Sequence, residues 1–265
     1  PLTSESPVDH PHHNSITVSA DVFYAKLPPL IPKQSALTEE ATYNFYVNDT
    51  FQGRMPGRIW VMSYDAEEVS DDHLRVVQQI QWQGPEEWGA PPPLGRRVVA
   101  EEIRTIDIRP GGVTNIIDIR SQLRPTDWDL TIGPARHAYY TVRLEDQMRP
   151  INGGSLLDSE GRTEVDDITG AMADWVAMYG PAAHGKTAGI TVIPHGSAAG
   201  LPWVAFDFGS INVNPFQTEK GVLNRGDELD LGIRILAHDG DPREADVAGM
   251  YEAFKRESAA TVAPG

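Results

Sequence analysis

Residues 98–123 carry the pattern that most limits what this chain can fold into. Val98 to Ile108 reads as an extended run, Pro110-Gly111-Gly112 as a turn, and Val113 to Leu123 as the returning run. In the second arm Ile117, Ile119 and Leu123 fall on one face and Asp118 and Arg120 on the other. A period of two puts successive side chains on opposite faces of a strand, so one face of this hairpin must be buried against another layer. The same alternation returns at Leu229, Leu231, Ile233 and Ile235, interleaved with Asp230, Gly232 and Arg234.

Further strands are expected at Arg58 to Tyr64, Leu74 to Trp82, Tyr139 to Leu144, Gly189 to Ile193 and Trp203 to Phe208. Leu74 to Trp82 is compatible with a helix as well, and Thr163 to Tyr179 fits either a helix or a strand through Asp174 to Met178. Only the tail reads clearly as helix. Asp241-Pro242 opens it, and Val247, Met250, Tyr251 and Phe254 follow at helical spacing. Residues 26–57 and 83–97 are proline-rich and polar, and read as long excursions from a sheet of the kind that build sites. The expected fold is all-β: an antiparallel two-sheet β-sandwich with a short C-terminal helix, forming one domain over residues 1–258, with a frayed tail at 259–265.

Charge narrows the partners. The chain has 265 residues, 38 acidic and 22 basic, for a net charge of −16. An acidic chain lacks the basic surface that nucleic acid and anionic membranes require. No apolar run reaches the ~18 residues of a transmembrane helix. There is no cysteine, which removes disulfides, thiolate metal sites and cysteine nucleophiles, and suits the cytoplasm. The start at Pro1, without methionine or a signal-type apolar core, reads as a processed product, a trimmed chain or a fragment. No Walker loop, dinucleotide glycine fingerprint, HExxH or GxSxG occurs.

The densest chemical feature is Asp9-His10-Pro11-His12-His13-Asn14. Imidazoles bind metals, move protons near neutral pH and donate to sugar hydroxyls. With Pro11 holding the chain extended, His10 and His12 aim the same way, and a divalent metal at His10 and His12 is one reading of them. Glu102 and Arg104 share one face of their strand, where a carboxylate–guanidinium pair would position a hydroxylated substrate. His137 and Arg143 flank Tyr139 and Tyr140, whose rings suit the C–H face of a sugar. His195 and His238 each end a strand, on the rim where loops gather.

Segments along nearly the whole chain resemble, in order, one bacterial family. They are Asp9-His10-Pro11-His12-His13, Glu102 to Thr105, Ile117-Asp118, Val142-Arg143, Gly153-Gly154 with Asp158-Ser159-Glu160-Gly161, Ala173-Asp174-Trp175-Val176, Gly189-Ile190, Asn214-Pro215-Phe216, and Gly226-Asp227-Glu228-Leu229 running to His238-Asp239-Gly240. The family is the PmoA-like one, labelled "methane oxygenase". The resemblance implies further strands before the His-rich stretch, a galactose-mutarotase-like supersandwich, and a place among carbohydrate-utilisation proteins. The chain departs from that pattern at Trp203-Val204-Ala205-Phe206, where an Arg often follows the tryptophan, and at Gly196-Ser197-Ala198, where an Asn is common.

The expected function is therefore a carbohydrate-active enzyme (epimerase, lyase or hydrolase) acting on a small-molecule or oligosaccharide substrate without a cofactor. His10, His12, Glu102, His195 and His238 would be catalytic. His13, Arg104, His137, Tyr139, Arg143 and Asn214 would bind substrate. All of these are expected on one concave face. The alternatives are a carbohydrate-binding module with an aromatic platform of Trp60, Trp82, Trp88, Tyr139 and Tyr140, and a histidine-ligated metal oxygenase or hydrolase.

Overall fold

The computed structural model describes Thr3 and residues 15–26, 40–86 and 96–262. His10, His12, His13 and Trp88 lie outside the described residues. The strands in chain order are β1 (Ile16–Ala20), β2 (Phe23–Lys26), β3 (Glu40–Asn44), β4 (Met55–Pro56), β5 (Arg58–Ser70), β6 (His73–Glu86), β7 (Arg96–Arg109), β8 (Thr114–Pro125), β9 (Asp129–Ile132) and β10 (Ala138–Arg143). They continue with β11 (Ser155–Asp158), β12 (Val176–Pro181), β13 (Thr187–Gly196), β14 (Trp203–Phe206), β15 (Ser210–Val213), β16 (Gly221–Leu223) and β17 (Leu229–Asp239). The α-helices among the described residues are α1 (Val165–Ile168) and α2 (Val247–Val262).

One layer is an eight-stranded sheet in the order β11-β12-β13-β17-β8-β7-β6-β5. The facing layer is split into a four-stranded sheet, β1-β10-β15-β14, and a five-stranded sheet, β16-β9-β2-β3-β4. Pairing is antiparallel except between β3 and β4. The β-sandwich with a C-terminal helix is therefore the observed fold. The β7–β8 hairpin forms as read, with Ile106 opposite Ile119 and Ile108 opposite Ile117. Leu74 to Trp82 is strand, and Thr163 to Tyr179 divides into the short α1 and the start of β12. The expected excursions are partly sheet. Residues 26–57 contain β3 and β4, and β6 and β7 extend to Glu86 and from Arg96.

Aromatic side chains join the two layers. Trp82 of the large sheet lies parallel to Tyr139 at 6.0 Å and to Phe23 at 5.7 Å, one from each smaller sheet. All three are fully buried. Each such burial is worth about 1.5–3 kcal/mol or more, the driving term for closing the sandwich. The outer face of the large sheet is capped by α2. Val247, Met250, Tyr251 and Phe254, the residues at helical spacing, pack on Trp175, Ala177, Ile193 and Leu236. Arg234 ties the helix down: it forks onto Asp118 at 2.6 and 2.9 Å, reaches Glu257 at 3.4 Å and lies 4.1 Å over the Phe254 ring. The helix runs to Val262, past the point where the sequence places a frayed tail.

Candidate functional site

The four-stranded sheet sends its two faces to different environments. Tyr140, Val142, Ile211, Val213, Trp203 and Ala205 enter the sandwich core. The register pairs Thr141 with Asn212 and Arg143 with Ser210, and Ser210 with Phe206, so these side chains share the opposite face. An outward face of a sandwich is normally solvated, yet Thr141, Arg143, Ser210 and Asn212 are all buried. Ser210 donates to Asn212 Oδ1 at 2.8 Å, and the Arg143 guanidinium sits 4.8 Å from the Phe208 ring centre. Phe206 and Phe208 stack at 4.8 Å. Thr141, Ser210, Asn212, Phe206 and Phe208, with Tyr46, Arg136 and His137, line a pocket of about 60 Å³, sized for one functional group of a ligand rather than a whole one.

The loop before β10 brings His137 to this pocket. Its Nδ1 is 2.9 Å from Asp21 Oδ2, and Asp21 N donates to the His137 carbonyl at 3.2 Å, so the two residues are held by main chain and side chain together. A carboxylate on Nδ1 places the ring proton there and leaves Nε2 as the acceptor, the orientation a general base needs. Arg136 Nε donates to that Nε2 at 3.4 Å, so the guanidinium must give way before a ligand proton reaches it. The Tyr46 ring stacks on the imidazole at 4.3 Å and 10°. Burial, and secondarily the Asp21 charge, push the Tyr46 hydroxyl up to about 12, so it stays protonated and able to donate. Asp21 is buried, Arg54 reaches its Oδ2 at 3.8 Å, and its Oδ1 has no hydrogen-bond partner. A buried carboxylate oxygen without a donor costs free energy, a cost borne here beside the histidine it orients.

The chain enters and leaves the His-rich stretch at the same edge of this sheet. Thr3 bridges to Leu144, Arg143 N donates to the Ser15 carbonyl at 2.7 Å, and Thr3 Oγ1 donates to Ser15 Oγ at 3.1 Å. The flanks of residues 4–14 are thus fixed beside Arg143, which the sequence reading placed with them.

The other expected members lie elsewhere. Glu102 is inside the sandwich with both oxygens engaged. Arg104 forks onto it at 2.8 and 2.9 Å, Ser121 Oγ donates to Oε1 at 2.7 Å, and Trp82 Nε1 donates to Oε2 at 2.9 Å. Four donors fill its acceptor sites and leave nothing for a substrate. Glu102 holds Arg104 protonated against the cost of its burial. Tyr139 completes the network at 2.8 Å from Ser121, and burial keeps its hydroxyl well above the usual range. These residues key the layers together. Asn214 spends its amide on the loop, donating to the carbonyls of Ala135 at 2.7 Å and Arg136 at 3.3 Å and accepting from Phe216 N at 2.8 Å. It positions His137 rather than lining the pocket.

The expectation that Glu102, His195 and His238 meet on one face is corrected. Glu102 is on the inner face of the large sheet, whereas both histidines are on its outer face. His195 lies over Gly232 and against Phe254 of α2. His238 lies over Gly189, 3.1 Å from Thr191 Oγ1 and 3.2 Å from the Gly240 carbonyl. The ladder pairs Gly189 with His238 and His195 with Gly232, six residues apart, or roughly 20 Å at ~3.3 Å per residue. Among the described residues, no three His, Asp or Glu side chains gather as a metal-binding set. The aromatic platform also divides: Trp60 is on the exposed edge strand, while Trp82, Tyr139 and Tyr140 are core.

Two facing layers, with a polar pocket on the outer face of the four-stranded sheet, define this molecule as a β-sandwich protein. Residues 1–252 match the model of a family described as "Family of unknown function (DUF6807)", and the chain belongs to that family. This overturns the resemblance to PmoA-like domains, because the motif-by-motif likeness does not correspond to the family whose model the chain matches. A search of curated proteins found no match. Among solved structures the chain is similar to the GH36 alpha-galactosidase AgaA from Geobacillus stearothermophilus, with a TM-score of 0.39 and 9% identity over 70% of this chain. It spans 28% of that enzyme's length. Among the described residues, no helix is long and apolar enough to cross a membrane.

Proposed function

We propose that the protein is a carbohydrate-active enzyme whose site is the pocket on the outer face of the four-stranded sheet, with His137 as its acid–base group. The observation that carries this reading is the Asp21–His137 pair. A buried carboxylate orients the imidazole, as acid–base catalysis requires, and the imidazole itself lines the pocket. Around it stand the hydroxyls of Thr141, Ser210 and Tyr46, the Asn212 amide, the buried cation of Arg143 and the stacked rings of Phe206 and Phe208. Hydroxyl partners beside aromatic faces suit a sugar, whose edges are polar and whose C–H face is apolar. His10, His12 and His13 remain proposed members through their flanks at Thr3 and Ser15. In this reading the pocket takes one arm of the sugar, and the ring extends toward those flanks.

The test is calorimetry and NMR turnover with a panel of neutral and acidic mono- and oligosaccharides, on the full chain and two variants. Asp21→Asn is expected to weaken binding by roughly tenfold or more, and His137→Gln to abolish turnover while a sugar still binds. Binding that survives both changes without any turnover would make the molecule a binding module. Failure of every sugar to bind would end the carbohydrate reading.

A further inference from the structure

We infer that β5 is a self-association edge, along which two copies of this chain join their eight-stranded sheets antiparallel about a two-fold axis between Met62 and Ser63. Among the described residues, strand β5 ends the sheet and pairs only with β6. Every residue from 60 to 70 is exposed, so one row of main-chain N–H and C=O groups faces outward along the strand. The side chains there are unusually apolar for a free edge: Trp60 is 49% exposed, Val61 48%, Met62 57% and Tyr64 68%. Free edges are commonly kept short or blocked with lysine or proline. This one is 13 residues long and contains neither.

The register between copies follows from a bulge. Ladder partners place Ile59 and Val61 opposite the core residues Trp82 and Ile80, on the inner face. In an unbroken strand Tyr64 would then face outward. The pairing slips between Val61 and Ser63, so Tyr64 sits opposite Gln78 and Ala66 opposite Val76, both on the inner face. Trp60, Asp65 and Glu67 take the outer face, opposite Gln81, Val77 and Arg75. Directly opposed residues in an antiparallel pair must share a face. A two-fold axis at the bulge satisfies this for each pair it makes. Val61 meets Tyr64 of the second copy, Ile59 meets Ala66, and Arg58 meets Glu67, each pair occurring twice. Arg58 uses two N–H groups on the carbonyls of Gly57 and Asn48, at 2.8 and 3.2 Å, which fixes its guanidinium at the strand end. The same axis sets Trp60 opposite Asp65 and Met62 opposite Ser63, so opposite charges fall together at both ends of a mixed centre, in a chain whose net charge of −16 otherwise repels copies.

The experiment is sedimentation equilibrium of the full chain over a concentration series, with folding of each variant checked by circular dichroism. A reversible dimer is expected. Val61→Lys and Tyr64→Lys should each weaken it by roughly tenfold or more. Arg58→Glu and Glu67→Arg should each weaken it, and the double variant R58E/E67R should restore it to within about threefold of the parent. A chain that stays monomeric throughout, or a dimer untouched by V61K and Y64K, overturns the inference. Loss with the lysine variants but no rescue by the charge exchange overturns the antiparallel register.

Discussion

Trp82 Nε1 donates to Glu102 Oε2 at 2.9 Å in the middle of a sandwich core, so a fully buried tryptophan also satisfies a buried carboxylate. The expected consequence is asymmetric. Glu102→Ala strands the Arg104 cation and should cost about 3–5 kcal/mol, whereas Trp82→Phe removes one of four donors and a part of the ring and should cost less. Urea unfolding of both variants gives the comparison, and a smaller loss for Glu102→Ala than for Trp82→Phe would contradict it.

Asn214 acts on the site through the loop it holds. Asn214→Ala removes donors from two loop carbonyls and is expected to cost roughly 1–3 kcal/mol of stability. It should also weaken ligand binding without changing any group that lines the pocket. Hydrogen exchange at residues 135–137 reads the loosening directly, and unchanged protection there would assign the cost to another part of the fold.

Acid sensitivity should begin near neutrality. Burial depresses both His195 and His238 below the usual 6.5, with Asp118 opposing the shift at His195 and the Gly240 carbonyl opposing it at His238. A histidine with a lowered folded pKa lets the unfolded chain bind more protons. Its contribution to stability is therefore complete above the unfolded value and is lost as pH falls toward the folded one. Unfolding free energy measured between pH 7.5 and 5.5, a window set about the reference value near 6.5, should fall in the parent chain. In a His195→Gln, His238→Gln double variant it should fall less steeply.

Gly232 and His195 form a second testable pair. The imidazole occupies the space a side chain at position 232 would need, so Gly232→Ala forces a clash. Gly232→Ala alone is expected to lower stability by about 1–3 kcal/mol. Adding His195→Ala should return a good part of that loss, because the obstructing ring is gone. Strictly additive losses in the two single variants and the double would show that the two positions do not share the space.

How much of this was legible depends on element length and sequence distance. β7, β8 and β17 are long enough for alternation to show, and Pro110-Gly111-Gly112 marks the turn between the first two. β2, β9 and β16 have four, four and three residues, too few for a period of two to stand out from loop composition. The split of the facing layer into two sheets left no local mark for the same reason. At the site, His137 and Arg143 could be singled out by residue type and strand position. Asp21 could not, because its partner His137 is 116 residues away and only the sheet brings them together. The available signal was a lone carboxylate between Ala20 and Val22 in an otherwise apolar run. Glu102 was legible as special and misleading as to why. A buried acid beside an arginine on one strand face reads the same whether it serves chemistry or packing.

Thr3 Oγ1 and Ser15 Oγ bond at one spot on the edge of the four-stranded sheet, where Thr3 also bridges to Leu144. The entropy of closing a loop grows only slowly with its length. The bond between these two positions therefore tolerates a change in the number of residues that separates them along the chain.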